Sequence, residues 1–239
     1  MTAYSPVALN KDTAESAPPI RWQSATWEDY CQLRDELATD DAHWQLHFDK
    51  NALLAFDMGW EGINHAIIRE LIAMLFFAWL RKHPNQPFTS IGQCLLEKSP
   101  TKAGAPDLVV YLGDNHPRWS PGESRAVDLH RWPVPRLIGE VSDTTLATDL
   151  DEKKRTYASL GIQEYWVVDV RGHRVFIFQL DEDGCYQSCD ASDALPGIST
   201  ELLEATIDKA LSETNGQAAL WFEQQLLAAN VTEKESDKS

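Results

Sequence analysis

Three residues in the middle of the chain carry side chains that could do chemistry together: Asp107, Glu140 and Lys153. Asp107 follows Pro106 at the start of the apolar run Leu108–Leu112, and Glu140 lies inside the run Leu137–Val141. A carboxylate within an apolar run is poorly solvated unless it is paired or bound to a cation. Two carboxylates on adjacent strand ends suit Mg2+ or Mn2+, hard ions that take oxygen ligands and keep several waters. The Val141 carbonyl could be a further ligand. An ion held there would polarise a phosphate and help to generate hydroxide. Simpler readings stand beside this one. Asp107 could be a turn residue solvating its own backbone, and Glu140 an edge-strand residue facing water. Gly139 fits either a close backbone approach or a bulge.

Helical geometry singles out the lysine. In a helix expected over Asp149–Leu160, the side chains of Leu150, Tyr157 and Leu160 define the inward stripe. At about 100° per residue, Lys153 falls near the middle of that stripe, Lys154 on its edge and Arg155 outside it. An inward lysine needs a carboxylate partner or an anionic substrate. Lys153 could orient an attacking water and stabilise charge on a phosphate. The structural alternative is an ion pair with Glu140, or with Asp149 four residues earlier on the helix.

These residues need elements to hold them. Leu108–Leu112, Leu137–Val141 and Glu164–Asp169 read as strands, with the Asp149–Leu160 helix crossing between the last two. Thr148 is a candidate cap and Gly161 the stop. Upstream, Trp44–Phe48 and Ala52–Phe56 flank Asp49-Lys50-Asn51, a hairpin pattern. A long, mostly buried helix is expected over Ile63–Lys82, with Ile63, Ile67, Leu71, Met74 and Leu75 on one face and Ile68, Ile72 and Trp79 widening the stripe. Thr89–Glu97 reads as one strand, and Gly113–Pro135 as a long loop. Arg174–Leu180 is a further strand. Two helices, about Thr200–Leu211 and Gln217–Ala229, close the chain. The expected fold class is α/β: a mixed sheet of about five or six strands flanked by helices, with a helical C-terminal extension. Residues 1–25 read as a disordered arm, 26–205 as a single domain, and 206–239 as the extension with a charged tail.

Composition narrows the classes. The chain has 239 residues, 43% hydrophobic and 24% charged, enough for a sizeable core. The apolar run Ile67–Leu80 is interrupted by Arg69 and Glu70 and reads as too short and too charged to cross a bilayer. No signal-peptide pattern opens the chain, so a cytoplasmic protein without membrane association is expected. Cys185 and Cys189 lack a second matching pair, which argues for reduced thiols over zinc. The net charge of −16 argues against an extensive nucleic-acid surface. That charge is uneven, however. Residues 101–180 carry 10 Lys and Arg against 11 Asp and Glu, a net of −1, leaving −15 for the remainder. Arg118, Arg125, Arg131 and Arg136, with His130, Trp119 and Trp132, precede the Glu140 strand. They could track a phosphate backbone and stack bases, cover the sheet, or form a homodimer contact.

Four segments in this order and spacing resemble the PD-(D/E)XK nuclease superfamily, and more narrowly its bacterial, cyanobacteria-rich restriction endonuclease family. They are Pro106-Asp107-Leu108-Val109-Val110, Ile138-Gly139-Glu140-Val141-Ser142-Asp143-Thr144-Thr145-Leu146, Asp149 with Glu152-Lys153 and Tyr157, and Gly161-Ile162-Gln163-Glu164-Tyr165-Trp166-Val167-Val168-Asp169. The resemblance covers about residues 40–205. It implies a restriction-endonuclease-like core and a metal-dependent endonuclease that hydrolyses phosphodiester bonds of nucleic acid, with DNA the expected substrate and Mg2+ or Mn2+ the cofactor. It implies Asp107 and Glu140 as metal ligands and Lys153 as the catalytic lysine. Ser142 stands where the superfamily places its lysine, two residues after the glutamate; in this family the lysine moves to the following helix, where Lys153 is. The superfamily often adds a glutamate from its first core helix. Glu61 and Glu70 are candidates, and Glu61 with His65 are kept as further site members, against a capping Glu61 and a core-edge His65. A non-catalytic binding or regulatory protein that retains the fold is the alternative function. An acid/base enzyme built on Glu140 and His65 has little support, because no cofactor-binding glycine pattern is present.

Overall fold

The computed structural model describes residues 22–37, 44–57 and 62–236. Strand β1 (Gln23–Ser24) leads into helix α1 (Trp27–Leu37). Thr26 starts α1 with a reciprocal cap: its hydroxyl accepts from the Asp29 N–H at 3.2 Å, and Asp29 Oδ2 accepts from the Thr26 N–H at 2.8 Å. Strands β2 (Trp44–Asp49) and β3 (Ala52–Asp57) form the expected hairpin. Its turn residues Lys50 and Asn51 take φ of 46° and 67°, the left-handed pair that a two-residue loop demands. Helix α2 (Ile63–Lys82) follows, then β4 (Phe88–Gly92), β5 (Leu96–Lys98), β6 (Lys102–Gly104) and β7 (Leu108–Leu112). After a long loop holding the short β8 (Val127–Asp128) comes β9 (Leu137–Ser142). Helix α3 (Leu146–Thr148), a π-helical turn (Asp149–Lys153) and α4 (Lys154–Leu160) run on as one helix. Gly161, at φ 82°, ends it in the left-handed conformation that glycine adopts without penalty. Then come β10 (Glu164–Asp169), β11 (Arg174–Leu180), β12 (Tyr186–Cys189), α5 (Thr200–Ser212) and α6 (Asn215–Ser236).

The strands make two six-stranded sheets, ordered β1-β3-β2-β6-β5-β8 and β12-β11-β10-β9-β7-β4. The second is the expected mixed core sheet of five or six strands, and the first is an additional sheet. Thr89–Glu97 is two strands, because Gln93 at φ 48° turns the chain out of the second sheet and into the first. In the second sheet β9 and β10 are parallel, joined by the α3–α4 helix as a crossover.

Alternation along the second sheet sorts its side chains. Leu108, Val110, Leu137, Val141, Trp166 and Val168 face a core closed by α2, α5 and α6. Val109, Tyr111, Ile138, Tyr165 and Val167 face the opposite core, under α4. The helices after residue 200 are therefore a layer of the main core: Leu203, Ile207, Phe222 and Leu226 are buried with the α2 residues. The boundary expected at residue 205 falls inside α5.

Three other expectations change. Gln23 and Ser24, assigned to a disordered arm, pair with Leu53 and Ala52; residues 1–21 lie outside the described residues. The buried face of α2 keeps Leu71, Leu75 and the widening residues Ile68, Ile72 and Trp79, and adds Phe76, but Ile63 is 80% exposed and Met74 39%. Packing against both a sheet and two helices accounts for the wide buried arc, while the first turn, at Ile63, lies beyond that cover. Finally, α2 spans 20 residues and by length and composition alone could cross a membrane, unlike the shorter run read from the sequence; in this fold its apolar residues line the core. The four cysteines are free thiols.

Candidate active site

The two acidic residues meet because of strand register. Strands β7 and β9 are antiparallel, with Leu108 opposite Gly139 and Val109 opposite Ile138. One further step puts Asp107 opposite Glu140. Side chains alternate along a strand, so both acids share the face of Val109 and Ile138, under α4. Gly139 points the other way, where an added Cβ would come within 3.0 Å of Leu108 Cδ1. That glycine serves close packing between paired strands, and the ladder runs past it without a bulge.

Asp107 is 2% exposed and richly bonded. Its Oδ2 accepts from the Val141 N–H at 2.8 Å, its Oδ1 from the Gln45 amide at 3.2 Å, and His65 Nε2 lies 3.8 Å from Oδ2. Burial pushes its carboxyl up, but His65, Lys153 and the Val141 N–H together hold it below the ordinary aspartate value.

Glu140 is 1% exposed. Its Oε1 accepts from the Tyr157 hydroxyl at 2.5 Å, and its Oε2 is 3.2 Å from Lys153 Nζ. Lys153 Nζ also lies 2.9 Å from Asp149 Oδ1, and Asp149 Oδ2 accepts from the Thr145 hydroxyl at 2.6 Å. Burial drives the Glu140 pKa well above the ordinary glutamate value; Lys153 opposes this, and the charges of Asp107 and Asp149 add to it. Burial works against the Lys153 ammonium, but Glu140, Asp149 and Asp107 outweigh it and keep the lysine protonated. Three buried carboxylates thus share one buried lysine.

The helix that carries Lys153 is locally distorted. Asp149 and Lys153 begin and end the π-helical turn, a distortion that recurs at functional sites in other proteins. As expected, Lys153 points inward, Lys154 lies at the edge with Nζ 3.6 Å from the Phe178 ring centroid, and Arg155 is exposed. Thr148 does not cap; the helix starts earlier, after Thr145.

The donor set suits a hard divalent ion. Among the described residues, no group of three His, Cys, Asp or Glu side chains is arranged to hold a metal. What converges is a pair of carboxylates plus main chain. The Val141 N–H points at Asp107, and a strand residue sends its carbonyl out on the same side as its N–H, so the Val141 carbonyl faces that position too. Mg2+ needs few protein oxygens and fills the rest of its octahedron with water or phosphate. The excess of buried negative charge gives a cation a reason to bind.

Of the other expected residues, His65 is buried beside Asp107, and Glu61 lies outside the described residues. Glu70 is exposed and turned toward Arg69. In the long loop, Arg131 pairs with Glu123 and covers Trp132, and Arg136 pairs with Asp193. Arg118 and Arg125 are exposed.

Four neighbours of the site escaped the sequence reading. Tyr157 stands in the sequence reading as a core residue and part of a resembling segment, with no role for its hydroxyl. Gly104 makes room for it: a Cβ there would sit 2.8 Å from Tyr157 Cε1. Gln45 and His47, both buried, alternate on one face of β2, and polar residues two apart in a half-apolar strand were the available signal. His47 packs against the Tyr157 ring, centroids 6.1 Å apart; burial, with Lys153 adding, drives its pKa well below the usual histidine value.

Among curated proteins, none matches the sequence. Among solved structures, the chain is similar to one from Anabaena variabilis described as a "putative nuclease belonging to DUF820", at 13% identity and a TM-score of 0.53, over 76% of this chain and 98% of that one. At that identity the likeness speaks for the fold. Residues 27–211 match the family model described as "Uma2: Putative restriction endonuclease". That span takes in both acids, the lysine and the crossover helix, and the chain belongs to this family.

Proposed function

We propose that the protein is a metal-dependent endonuclease-like phosphodiesterase that hydrolyses phosphodiester bonds of nucleic acid in the cytoplasm, with DNA as its substrate and Mg2+ or Mn2+ as its cofactor. The observation that carries this reading is the pairing of Asp107 and Glu140 on one buried sheet face, with Lys153 reaching in from the crossover helix.

In this reading Asp107, Glu140 and the Val141 carbonyl hold the ion. When bound, the ion polarises the phosphate and favours deprotonation of water. Lys153 keeps its proton, aligns the water and offsets negative charge on the phosphate, while Asp149 fixes the ammonium in place. Tyr157 holds Glu140 in one rotamer, and His65 and Gln45 position Asp107.

Cleavage of DNA in Mn2+ by Glu140→Gln and Lys153→Ala tests these roles. Each is expected to lose about 100-fold or more in rate, the scale of removing one electrostatic contact to a transition state. Wild-type rates in either variant would contradict the assignment. The alternative, a non-catalytic binding or regulatory protein, draws on the net charge of −16 and predicts no metal-dependent cleavage.

A further inference from the structure

A cavity of about 770 Å³ adjoins Asp107. Its walls come from α1 (Arg34), β2 (Trp44, Gln45), the β4–β5 turn (Gln93) and the loop after β7 (Arg125, Ala126). Two of these walls also hold the acid. The Gln45 amide donates to Asp107 Oδ1, and the Gln93 N–H donates to the Asp107 carbonyl at 3.1 Å. Whatever occupies the cavity therefore lies next to the candidate metal position.

The lining says what would fit. The indole N–H of Trp44 is buried and, among the described residues, has no hydrogen-bond partner. Leaving a buried donor unmet costs about 1–3 kcal/mol, which a ligand carbonyl or ring nitrogen would offset. Arg34 reaches the cavity from its pairing with Glu97 and Asp35, and Arg125 stands exposed beside it. An aromatic ring, an unmet donor and guanidinium groups are the means by which proteins hold unstacked bases and their phosphates. The volume falls within the roughly 300–1,000 Å³ of small-ligand sites, too small for a duplex. A paired base would have to leave the stack to enter. The net charge of −16 points the same way, since long phosphate tracks need basic surfaces.

We propose that this cavity holds one unpaired nucleotide beside the phosphate to be cut, so that the substrate is single-stranded or locally unpaired nucleic acid. This rests on the nuclease reading above, and binding separates the two. Affinity for a short fluorescent oligothymidylate, and for a matched duplex, would be measured in chelator with wild type, Ala126→Phe and Trp44→Phe. Ala126→Phe fills the cavity from its rim; Trp44→Phe keeps the ring and removes the donor. Wild type should prefer the single strand by about tenfold or more. Ala126→Phe should weaken that binding about tenfold, the scale of one lost base stack. Trp44→Phe should weaken it about fivefold, the scale of one hydrogen bond. Equal affinity for the duplex, or single-strand affinity unchanged in both variants, would overturn the proposal. Variant-sensitive single-strand binding by a protein that cuts nothing in Mn2+ would uphold the pocket and refute the nuclease reading.

Discussion

The Tyr157 hydroxyl donates to Glu140 Oε1 across 2.5 Å of fully buried space, and it can do so only because residue 104 is glycine. Helix α4 and strand β9 thus meet at one carboxylate oxygen, with β6 making room for the ring. Tyr157→Phe should leave that oxygen without its donor. Leaving a buried polar group without its partner costs about 1–3 kcal/mol. Thermal unfolding should register the loss, and DNA cleavage in Mn2+ should fall about tenfold as Glu140 loses its fixed rotamer.

Gly104→Ala should act on the same contact from the other side. The new methyl would stand 2.8 Å from Cε1 of the fully buried Tyr157 ring. Overpacking of this kind typically costs about 1–3 kcal/mol. Urea denaturation should show that cost, and cleavage should drop with it; an unchanged midpoint would mean that the ring relocates freely.

Glu140 should cost the protein stability at neutral pH. Its folded pKa is raised, so between the ordinary glutamate value and the raised one the folded state holds a proton that the unfolded state has released. Stability is then greatest below the unfolded value and falls as pH rises through the folded one. Glu140→Gln removes this dependence, since its amide can donate to Tyr157 and accept from Lys153. In chelator at pH 7 the variant should melt above wild type, and the difference should vanish below the ordinary glutamate value. Mg2+ should raise the melting temperature of wild type more than that of the variant.

Glu164 is the control. It is as buried as Glu140, but its oxygens accept from the Trp166 indole, the Ser192 hydroxyl and the N–H groups of Asp193 and Ala194. These donors tie the segment before α5 to β10. Glu164→Ala should cost about 3 kcal/mol or more in unfolding free energy, because several buried donors lose their acceptor. Cleavage per folded molecule should stay at the wild-type level.

What could be read from the sequence was whatever a single element determines. Apolar runs marked β7, β9 and β10, and helical spacing turned Lys153 inward, because each pattern is local. The partition into two sheets was hidden, since it depends on one backbone angle at Gln93. The role of α6 was hidden as well: Phe222 and Leu226 gain meaning only against α2. At the site, Asp107, Glu140 and Lys153 stood out as charges in apolar settings. Tyr157, Gly104 and Gln45 did not, because a tyrosine in a core stripe and a glycine in a short strand look ordinary until the partner strand is in place.

The central claim is that Asp107 and Glu140 hold a metal that cuts nucleic acid. Plasmid cleavage in Mn2+ by wild type and Asp107→Asn, side by side and with a chelator control, tests it most directly. Cleavage by wild type alone, abolished by the chelator, is the predicted result. Equal cleavage by both proteins, or none by wild type on paired or single-stranded DNA, would contradict it.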